Sequence, residues 1–212
     1  MTVPVLVLGA GGHSKVLIEA LLLTSTPIAG IVDANPELLG ALILGVPVLG
    51  GDELVSGFPN DTICLVNGVG SVGLPTRRQK LFEKFKRLGY RFATVIHPTA
   101  VVASDTVVDE GGQIMAGAVI QPGCRIGSNT IINTRASIDH DCAVGDHSHI
   151  APGVTLSGGV IVSTGVHIGT GATVIQNIRI GSVSLVGAGA LVLKDVPPSV
   201  TVIGVPAKVV KQ

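Results

Sequence analysis

The sequence predicts an α/β, Rossmann-like unit at its amino end, followed by a long parallel β-helix. An apolar run that leads into a glycine loop and a helical pattern indicates the first unit. A six-residue period, unbroken from residue 99 to residue 194, indicates the second. The aromatic content of 2% agrees, because it is low for an ordinary core but suits a narrow prism filled by small aliphatic side chains. We expect the two domains to span residues 1–96 and 97–212.

The six-residue period is clearest at the fourth position of each hexad, which is a branched aliphatic residue in all sixteen hexads counted from Thr99. These residues are Val102, Val108, Ile114, Ile120, Ile126, Ile132, Ile138, Val144, Ile150, Leu156, Val162, Ile168, Val174, Ile180, Val186 and Val192. A period of six does not match an α-helix, whereas a short strand followed by a corner repeats naturally at this length. Three such strands make one triangular coil, and stacked coils bury the fourth positions in one internal column. The pattern therefore predicts a parallel β-helix of about five coils.

A strand, a glycine loop and a helix are predicted at the amino end. The apolar residues 4–8 meet the loop Gly-Ala-Gly-Gly-His-Ser-Lys at 9–15, and apolar residues then recur at helical spacing. In such a unit, free N–H groups and the positive end of the helix dipole face an anion. A second predicted strand, 28–32, ends at Asp33, about where these folds place an acid near a ribose. The G-x-G-x-x-G fingerprint is incomplete, because Ser14 occupies the position of the third glycine.

A third predicted strand, 63–66, is followed by Asn-Gly-Val-Gly at 67–70 and by a helix over 75–88. We expect the helix to point its apolar residues inward and its basic residues mostly outward; the basic residues are Arg77, Arg78, Lys80, Lys84 and Lys86. Glycine loops at the carboxyl ends of successive parallel strands line one crevice, the usual ligand position in open sheets. Taken with the first loop, they favour a phosphorylated ligand. The unit has room for about three to four strands, so one nucleotide or nucleotide-sugar fits it better than NAD.

Composition argues against several other functions. The formal net charge is zero and no basic run is present, so nucleic acid is not a predicted partner. No apolar run reaches eighteen residues and the first residues lack the features of a signal peptide, so we expect a soluble, cytoplasmic protein with no membrane partner. The three cysteines indicate small core residues rather than a disulfide framework.

Polar residues that interrupt the coil pattern are densest at 133–149 and indicate where chemistry lies. His140 holds the sixth position of its hexad and Asp141 the first of the next, so both are expected at an outer corner. A carboxylate beside a histidine holds one tautomer and stabilises the imidazolium, as a general base near neutral pH requires. A surface histidine near acids is more often a solvated corner. The concentration of His, Asp and Asn in one coil favours the catalytic interpretation.

A second histidine indicates a site shared between subunits. His149 follows His140 by nine residues, half of a coil, and so points to a different side of the same prism. The two can meet across a cleft between parallel prisms, most simply in a cyclic trimer. We also expect His167 to stack one coil above His149, and Gly158 one coil above His140.

In these motifs the chain resembles the hexapeptide-repeat sugar acyltransferases, a family that includes sialic-acid O-acetyltransferase and the N-acetyltransferases of nucleotide-linked 4-amino-6-deoxysugars. The resemblance covers almost the full length. It rests on the loop at 9–15, on Ile-Asn-Thr at 132–134 with Ile-Asp-His-Asp-Cys at 138–142, on His-Ile-Ala-Pro-Gly-Val-Thr-Leu-Ser-Gly-Gly at 149–159, and on Gly-Val-Pro-Ala-Lys at 204–208. It implies a left-handed β-helix, a homotrimer with sites between subunits, acetyl-CoA as co-substrate and no metal.

The resemblance also implies roles for single residues. His140 would be the general base and Asp141 the acid that raises its basicity, at a position where some relatives carry Glu. Acetyl-CoA would meet His149, Gly158, Thr170 and Ala188. The nucleotide-sugar would be held by Gly11, Gly12, His13, Asp33, Ala34 and Asn133, together with Gly68 from the predicted crevice.

We therefore predict an acetyl-CoA-dependent N-acetyltransferase that acts by direct transfer on the 4-amino group of a nucleotide-linked 4-amino-6-deoxysugar, in bacterial glycan biosynthesis. Sugar O-acetylation of the sialic-acid type is the alternative within the family. A trimeric zinc hydratase is a further alternative, since His147 and His149 alternate along a strand. The nucleotide unit argues against the hydratase, and His140 with its acids argues against a non-catalytic sensor. Neither the nucleotide base nor the sugar stereochemistry follows from these loops.

Overall fold

The computed structural model describes residues 3–211, in which a six-stranded sheet with two helices leads into a triangular column of short strands. The elements of the sheet unit are β1 (Val5–Leu8), α1 (Gly12–Leu23), β2 (Ile28–Val32), β3 (Leu42–Ile43), β4 (Val46–Gly50), β5 (Cys64–Asn67), α2 (Thr76–Arg87) and β6 (Arg91–Phe92), with 3₁₀ turns at Pro36–Leu38 and Asp52–Gly57. The strand order is β3-β4-β2-β1-β5-β6, and all neighbours are parallel except β3 and β4. The sheet is thus larger than the three to four strands expected from the sequence, because β3, β4 and β6 carry little periodicity of their own.

β1 is a central strand of this sheet, and all four of its residues are buried. Burial on both faces explains its continuous apolar run. α1 covers one face in an apolar cluster that also contains Val95 and Met115 from the column, whereas α2 covers the other face with Phe82 and Phe85. The cluster around α1 therefore fixes the sheet unit on the column.

The column consists of short strands that are joined by corners. In chain order they are β7 (Val95–Ile96), β8 (Val101–Val102), β9 (Val107–Val108), β10 (Gln113–Ile114), β11 (Val119–Ile120), β12 (Arg125–Ile126), β13 (Ile131–Ile132), β14 (Ser137–Ile138), β15 (Ala143–Val144), β16 (His149–Ile150), β17 (Thr155–Leu156), β18 (Ile161–Val162), β19 (His167–Ile168), β20 (Thr173–Val174), β21 (Arg179–Ile180), β22 (Leu185–Val186), β23 (Leu191–Val192), β24 (Thr201–Ile203) and β25 (Lys208–Lys211). Every third strand pairs in parallel, so three faces form. The first face carries β7, β10, β13, β16, β19, β22 and β24 with the antiparallel β25 at its end, the second β8, β11, β14, β17, β20 and β23, and the third β9, β12, β15, β18 and β21.

The predicted internal column is confirmed. The fourth-position residues from Ile114 to Val192 are buried in one apolar cluster, while Val102 and Val108 are partly buried against it. Cys124 and Cys142 are buried in the same cluster as free thiols, which confirms their interpretation as small core residues. Equivalent positions in successive coils therefore stack directly above one another.

The junction between the two units lies at β7, which pairs in parallel with β10. The first coil strand therefore starts at Val95, and the division into domains 1–96 and 97–212 stays a prediction. Across residues 3–211, no helix has both the length and the apolar character that a membrane crossing requires.

Candidate active site

A cavity of about 740 Å³ lies between the sheet unit and the column, and we call it the first cavity. Its lining contains all seven residues that were predicted to hold the nucleotide-sugar: Gly11, Gly12, His13, Asp33, Ala34, Gly68 and Asn133. Three basic side chains of α2 also line it, namely Arg77, Lys80 and Lys84. The structure brings the predicted substrate residues together, and their contact with a ligand stays a prediction.

α1 begins at the glycine loop after β1 and has no side-chain cap at its amino end. The first N–H groups of the helix therefore have no partner within the helix, and they lie at the first cavity, which Gly11, Gly12 and His13 line. The departure from the glycine fingerprint has a structural reason. The buried Ser14 hydroxyl donates to the carbonyl of Gly9 and, at 3.1 Å, to that of Gly68. A Cβ at residue 68 would lie 2.1 Å from Ser14 Oγ, so Ser14 requires glycine there. The two loops are thereby joined into one wall.

Asp33 supports the same wall from the end of β2. Its Oδ2 accepts from the backbone N–H of Ala10 at 2.7 Å, and its Oδ1 accepts from that of Asn35 at 2.8 Å. Both carboxylate oxygens therefore accept hydrogen bonds from backbone N–H groups. Through these bonds Asp33 fixes the shape of the glycine loop, independently of any contact with a ribose.

His13 is a neutral histidine in the first cavity. Burial, followed by the charge of Arg78, lowers the pKa of His13 to about 4. Its Nε2 lies 2.7 Å from Gln113 Oε1, and the Gln113 amide is oriented because its Nε2 donates to Asn67 O at 2.9 Å. Since Oε1 only accepts, Nε2 of His13 carries the hydrogen.

His149 is neutral as well, and both of its ring nitrogens are engaged. Burial, followed by smaller electrostatic effects of His167, His13 and Arg78, lowers its pKa to about 3. Asn133 Oδ1 accepts from the N–H of Thr134, so the Asn133 amide nitrogen donates to His149 Nε2 at 3.0 Å. Nδ1 then carries the hydrogen and lies 2.8 Å from Ser71 Oγ. With so low a pKa, His149 is a poor general base, and hydrogen bonds to both of its ring nitrogens hold it in the cavity wall.

The position of His149 bears on its predicted role. It lines the first cavity beside the predicted substrate residues, and its contact with acetyl-CoA stays a prediction. His167 stacks one coil above it, as the spacing predicted, with ring centroids 4.9 Å apart.

His140 and Asp141 lie at the corner between β14 and β15, where their side chains are 63% and 74% exposed. Nδ1 of His140 is 2.8 Å from Oδ2 of Asp141. This hydrogen bond, followed by the charge of Asp139, raises the pKa of His140 above its ordinary value. Since a carboxylate only accepts, Nδ1 carries the hydrogen and Nε2 presents its lone pair to solvent. Such a histidine has the protonation chemistry of a general base.

Gly158 stacks one coil above His140, as the spacing predicted. A Cβ at residue 158 would lie 2.7 Å from His140 Nε2, so only glycine leaves this face of the ring open. A second cavity of about 530 Å³ opens at this corner, lined by Asp139, His140, Asp141, Ser157, Gly158, Gly159, Gln176 and Asn177. Within residues 3–211 it has no lining residue in common with the first cavity.

The other two residues predicted to meet acetyl-CoA, Thr170 and Ala188, lie at a different corner. They follow β19 and β22, between the first and second faces, and stand one coil apart. Neither lines one of the two cavities described above. One chain therefore presents the predicted acetyl-CoA residues at more than one edge of the prism.

The histidines considered as zinc ligands have other partners. His147 Nδ1 lies 2.9 Å from the amide nitrogen of Asn129, and its ring stands edge-on to Phe82 with centroids 5.5 Å apart. His149 is engaged on both nitrogens. In the described part of the chain, no cluster of three or more His, Cys, Asp or Glu has the geometry to hold a metal ion. The contacts of these two histidines lend no support to a zinc hydratase.

Replacing Asp141 by asparagine tests the electrostatics of this corner. Because the hydrogen bond to the carboxylate is the main cause of the raised pKa of His140, Asp141→Asn should lower that pKa toward the ordinary value of 6.5. An NMR titration of the His140 ring protons measures it. Asp139→Asn is the control, and we expect a smaller decrease because Asp139 acts through its charge alone. An unchanged pKa in Asp141→Asn would contradict this account.

One basic residue of α2 lies on the buried face of the helix, not on the outer face that the sequence predicted. Arg78 was expected among the outward basic residues, but it is only 1% exposed. A signal was present in the sequence, because Arg78, Phe82 and Phe85 recur at helical spacing and so share one face of α2. The carbonyls to which its guanidinium donates, by contrast, lie in the loop after β5 and in the β-helix and follow no local pattern.

Comparison with known proteins agrees with this architecture. Residues 4–85 match the family model described as the PglD N-terminal domain, and residues 123–158 match the bacterial transferase hexapeptide model of six repeats. These matches fall on the sheet unit and on the coils that carry His140 and His149.

Solved structures match over nearly the whole chain. A histidine-to-asparagine mutant of perosamine N-acetyltransferase from Caulobacter crescentus, in complex with CoA and GDP-perosamine, is 40% identical, with 99% of this chain and 97% of that chain covered and a TM-score of 0.91. The acetyltransferase domain of PglB from Neisseria gonorrhoeae, in complex with acetyl coenzyme A, is 34% identical, with 99% and 100% covered and a TM-score of 0.90. The predicted fold class, an α/β unit before a left-handed parallel β-helix, is confirmed. The chain belongs to the hexapeptide-repeat sugar acyltransferases, the family of perosamine N-acetyltransferase and the PglB acetyltransferase domain.

Proposed function

We propose that this protein transfers the acetyl group of acetyl-CoA to the 4-amino group of a nucleotide-linked 4-amino-6-deoxysugar. The observation that carries the proposal is the exposed His140, whose pKa is raised and whose Nε2 is open, in a chain 40% identical to an enzyme crystallised with CoA and GDP-perosamine. The first cavity, with its glycine loop and basic residues, supports a phosphorylated sugar as acceptor.

In the proposed mechanism His140 is the general base. Nε2 accepts the proton of the sugar amine while the amine nitrogen bonds to the thioester carbonyl carbon. Asp141 stabilises the resulting imidazolium through the hydrogen bond to Nδ1. As the carbon–sulfur bond breaks, Nε2 returns the proton to the departing sulfur, so His140 ends the cycle neutral. A backbone N–H stabilises the charge that develops on the carbonyl oxygen.

The residues at this corner fit a thioester beside His140. Gly158 leaves the Nε2 side of the ring free, and a Cβ there would meet three atoms of the imidazole. The second cavity is open and is lined by polar side chains and glycine backbone, which suits an extended polar co-substrate. We assign Gly158, Thr170, Ala188 and His149 to acetyl-CoA on the family resemblance.

We further propose a homotrimer in which neighbouring subunits share each active site. The cavity that fits the nucleotide-sugar and the corner that carries His140 lie on different sides of one chain and share no described lining residue. An acceptor held in the first cavity therefore reaches the His140 of another copy more readily than that of its own. This contact joins two different surfaces of neighbouring subunits, and three such contacts form a closed ring in a cyclic trimer. We also propose that the protein acts in the cytoplasm, in bacterial glycan biosynthesis, because its proposed substrates, acetyl-CoA and a nucleotide-sugar, are cytoplasmic metabolites.

The test is release of CoA from acetyl-CoA in the presence of GDP-, UDP- or dTDP-linked 4-amino-6-deoxysugars, with mass spectrometry of the product. We expect one nucleotide series, with GDP-perosamine as the first candidate, to gain a single acetyl group. The matching GDP-linked 4-hydroxysugar is the control and should gain none. Acetylation of free sialic acid in place of every amino sugar would replace the proposal by O-acetylation, and a protein that binds no acetyl-CoA would refute both.

A further inference from the structure

Arg78 in α2 is a buried cation without an acidic partner among residues 3–211. Its Nε donates to Asn129 O at 3.2 Å, and its Nη1 donates to Asn67 O at 2.7 Å and to Val69 O at 2.9 Å. Its Nη2 is buried with no hydrogen-bond partner in the described structure. A buried charge that no carboxylate balances is costly to keep, and a neutral side chain could fill a purely structural position.

The carbonyls that Arg78 holds belong to the two parts of the molecule that form the first cavity. Asn67 and Val69 flank Gly68 in the cavity wall, whereas Asn129 lies at a corner of the β-helix. The side chain of Asn67 bridges the same two parts, because its Nδ2 donates to Asn129 Oδ1 at 3.0 Å. Gln113 Nε2 donates to Asn67 O at 2.9 Å. The guanidinium therefore lies directly behind the loop that lines the cavity.

The charge of Arg78 acts on side chains within the cavity. Although burial lowers the pKa of Arg78 to about 9, the group stays protonated at neutral pH. After burial, it is the main influence that lowers the pKa of His13, and it contributes at His149. Both histidines line the first cavity. The positive charge that disfavours the protonated form of these histidines would stabilise an anion bound in the same cavity.

We propose that Arg78 is a positioning residue for the nucleotide-sugar. It holds the loop around Gly68 in place from behind, and its unbalanced charge attracts the two phosphates of the ligand. The inference rests on the proposed function, since it assumes that the first cavity takes a nucleoside diphosphate. Arg78 does not line the cavity, so it acts through the loop and through its field rather than by contact.

The test is calorimetric binding of GDP, UDP and dTDP, with CoA in parallel, to the wild type and to Arg78→Met. For the nucleoside diphosphate that binds the wild type, we expect an affinity at least about tenfold weaker in the variant, from the loss of one nearby charge in a partly buried site. CoA affinity should change by less than about twofold. In turnover, KM for the nucleotide-sugar should rise while kcat is kept. Arg87→Met, which removes an exposed charge of the same helix, should change none of these.

Arg78→Lys and Arg78→Gln separate the charge from the hydrogen bonds. Lysine keeps the charge and should recover part of the affinity, whereas glutamine keeps amide donors and should not; glutamine also decides the question if the methionine variant does not fold. Wild-type diphosphate affinity in a folded neutral variant would overturn the assignment. If the variant binds both CoA and the diphosphate more weakly to a similar degree, the role of Arg78 is structural only. Failure of the wild type to bind any nucleoside diphosphate would refute the proposed function itself.

Discussion

Replacing His140 by alanine should lower kcat by about 10²–10⁴-fold, the usual contribution of a positioned acid–base group. The substitution removes the exposed histidine whose Nε2 is open, and the neutral histidines of the first cavity cannot substitute for it. The pKa of His13 is about 4 and that of His149 about 3, too low for a base that must take up a proton from an amine. Steady-state kinetics with saturating acetyl-CoA measures the loss.

The fold should survive this change, because the His140 side chain is exposed and only its backbone takes part in the coil ladder. Sedimentation and CoA binding should therefore match the wild type. Gln121→Ala is a suitable control, since Gln121 is exposed at the same corner one coil below. It should retain full turnover. A kcat for His140→Ala within about threefold of the wild type would exclude His140 as the base.

The pH profile gives a second check on the same residue. A general base works in its neutral form, so kcat/KM should rise with pH through the pKa of His140, which lies above 6.5 in the folded protein. Asp141→Asn lowers that pKa and should therefore move the rising limb to lower pH, with a lower plateau because the imidazolium loses its stabilising partner. His140→Ala should lack this limb.

Two inactive variants should restore activity when they share a trimer. His140→Ala removes the base, and Gly12→Asp places a carboxylate at the start of α1, where the phosphate is expected. A Cβ at residue 12 meets no heavy atom within 4 Å, and an acid in the first turn suits the helix dipole, so the second variant should fold. Each alone should be nearly inactive.

Trimers that contain both variants should regain about a third of the wild-type activity, because one of their three shared sites combines an intact first cavity from one subunit with an intact His140 from its neighbour. Co-expression followed by tandem-tag purification yields these mixtures. His140→Ala mixed with the double variant His140→Ala, Gly12→Asp is the control and should regain nothing. No recovery in the first mixture would show that each chain holds a complete site of its own.

Much of this protein follows from local sequence periods. A hexad with an aliphatic fourth position admits one regular structure, so Ile114 to Val192 specify the β-helix coil by coil. The stacking of His167 on His149 and of Gly158 beside His140 then follows, because the residues of each pair are eighteen positions, or one coil, apart in the sequence. The glycine loop and its helix were also predicted, because strand, loop and helix are contiguous in sequence, whereas the family resemblance supplied most of the substrate residues that line the first cavity.

The sequence by itself thus determined the β-helix, the nucleotide-type loop and the identity of the exposed His140–Asp141 pair. Only the tertiary structure decided which polar residues are buried and with what partners. Arg78 binds carbonyls that are 9 to 51 residues away in the chain, and His149 bonds to Ser71, 78 residues before it. Such contacts arise where α2 and the loop after β5 meet the coils of the β-helix. The protonation of His13 and His149 depends on burial and on charges contributed by distant segments, so no local period can encode it, whereas that of His140 depends on its sequence neighbours Asp139 and Asp141.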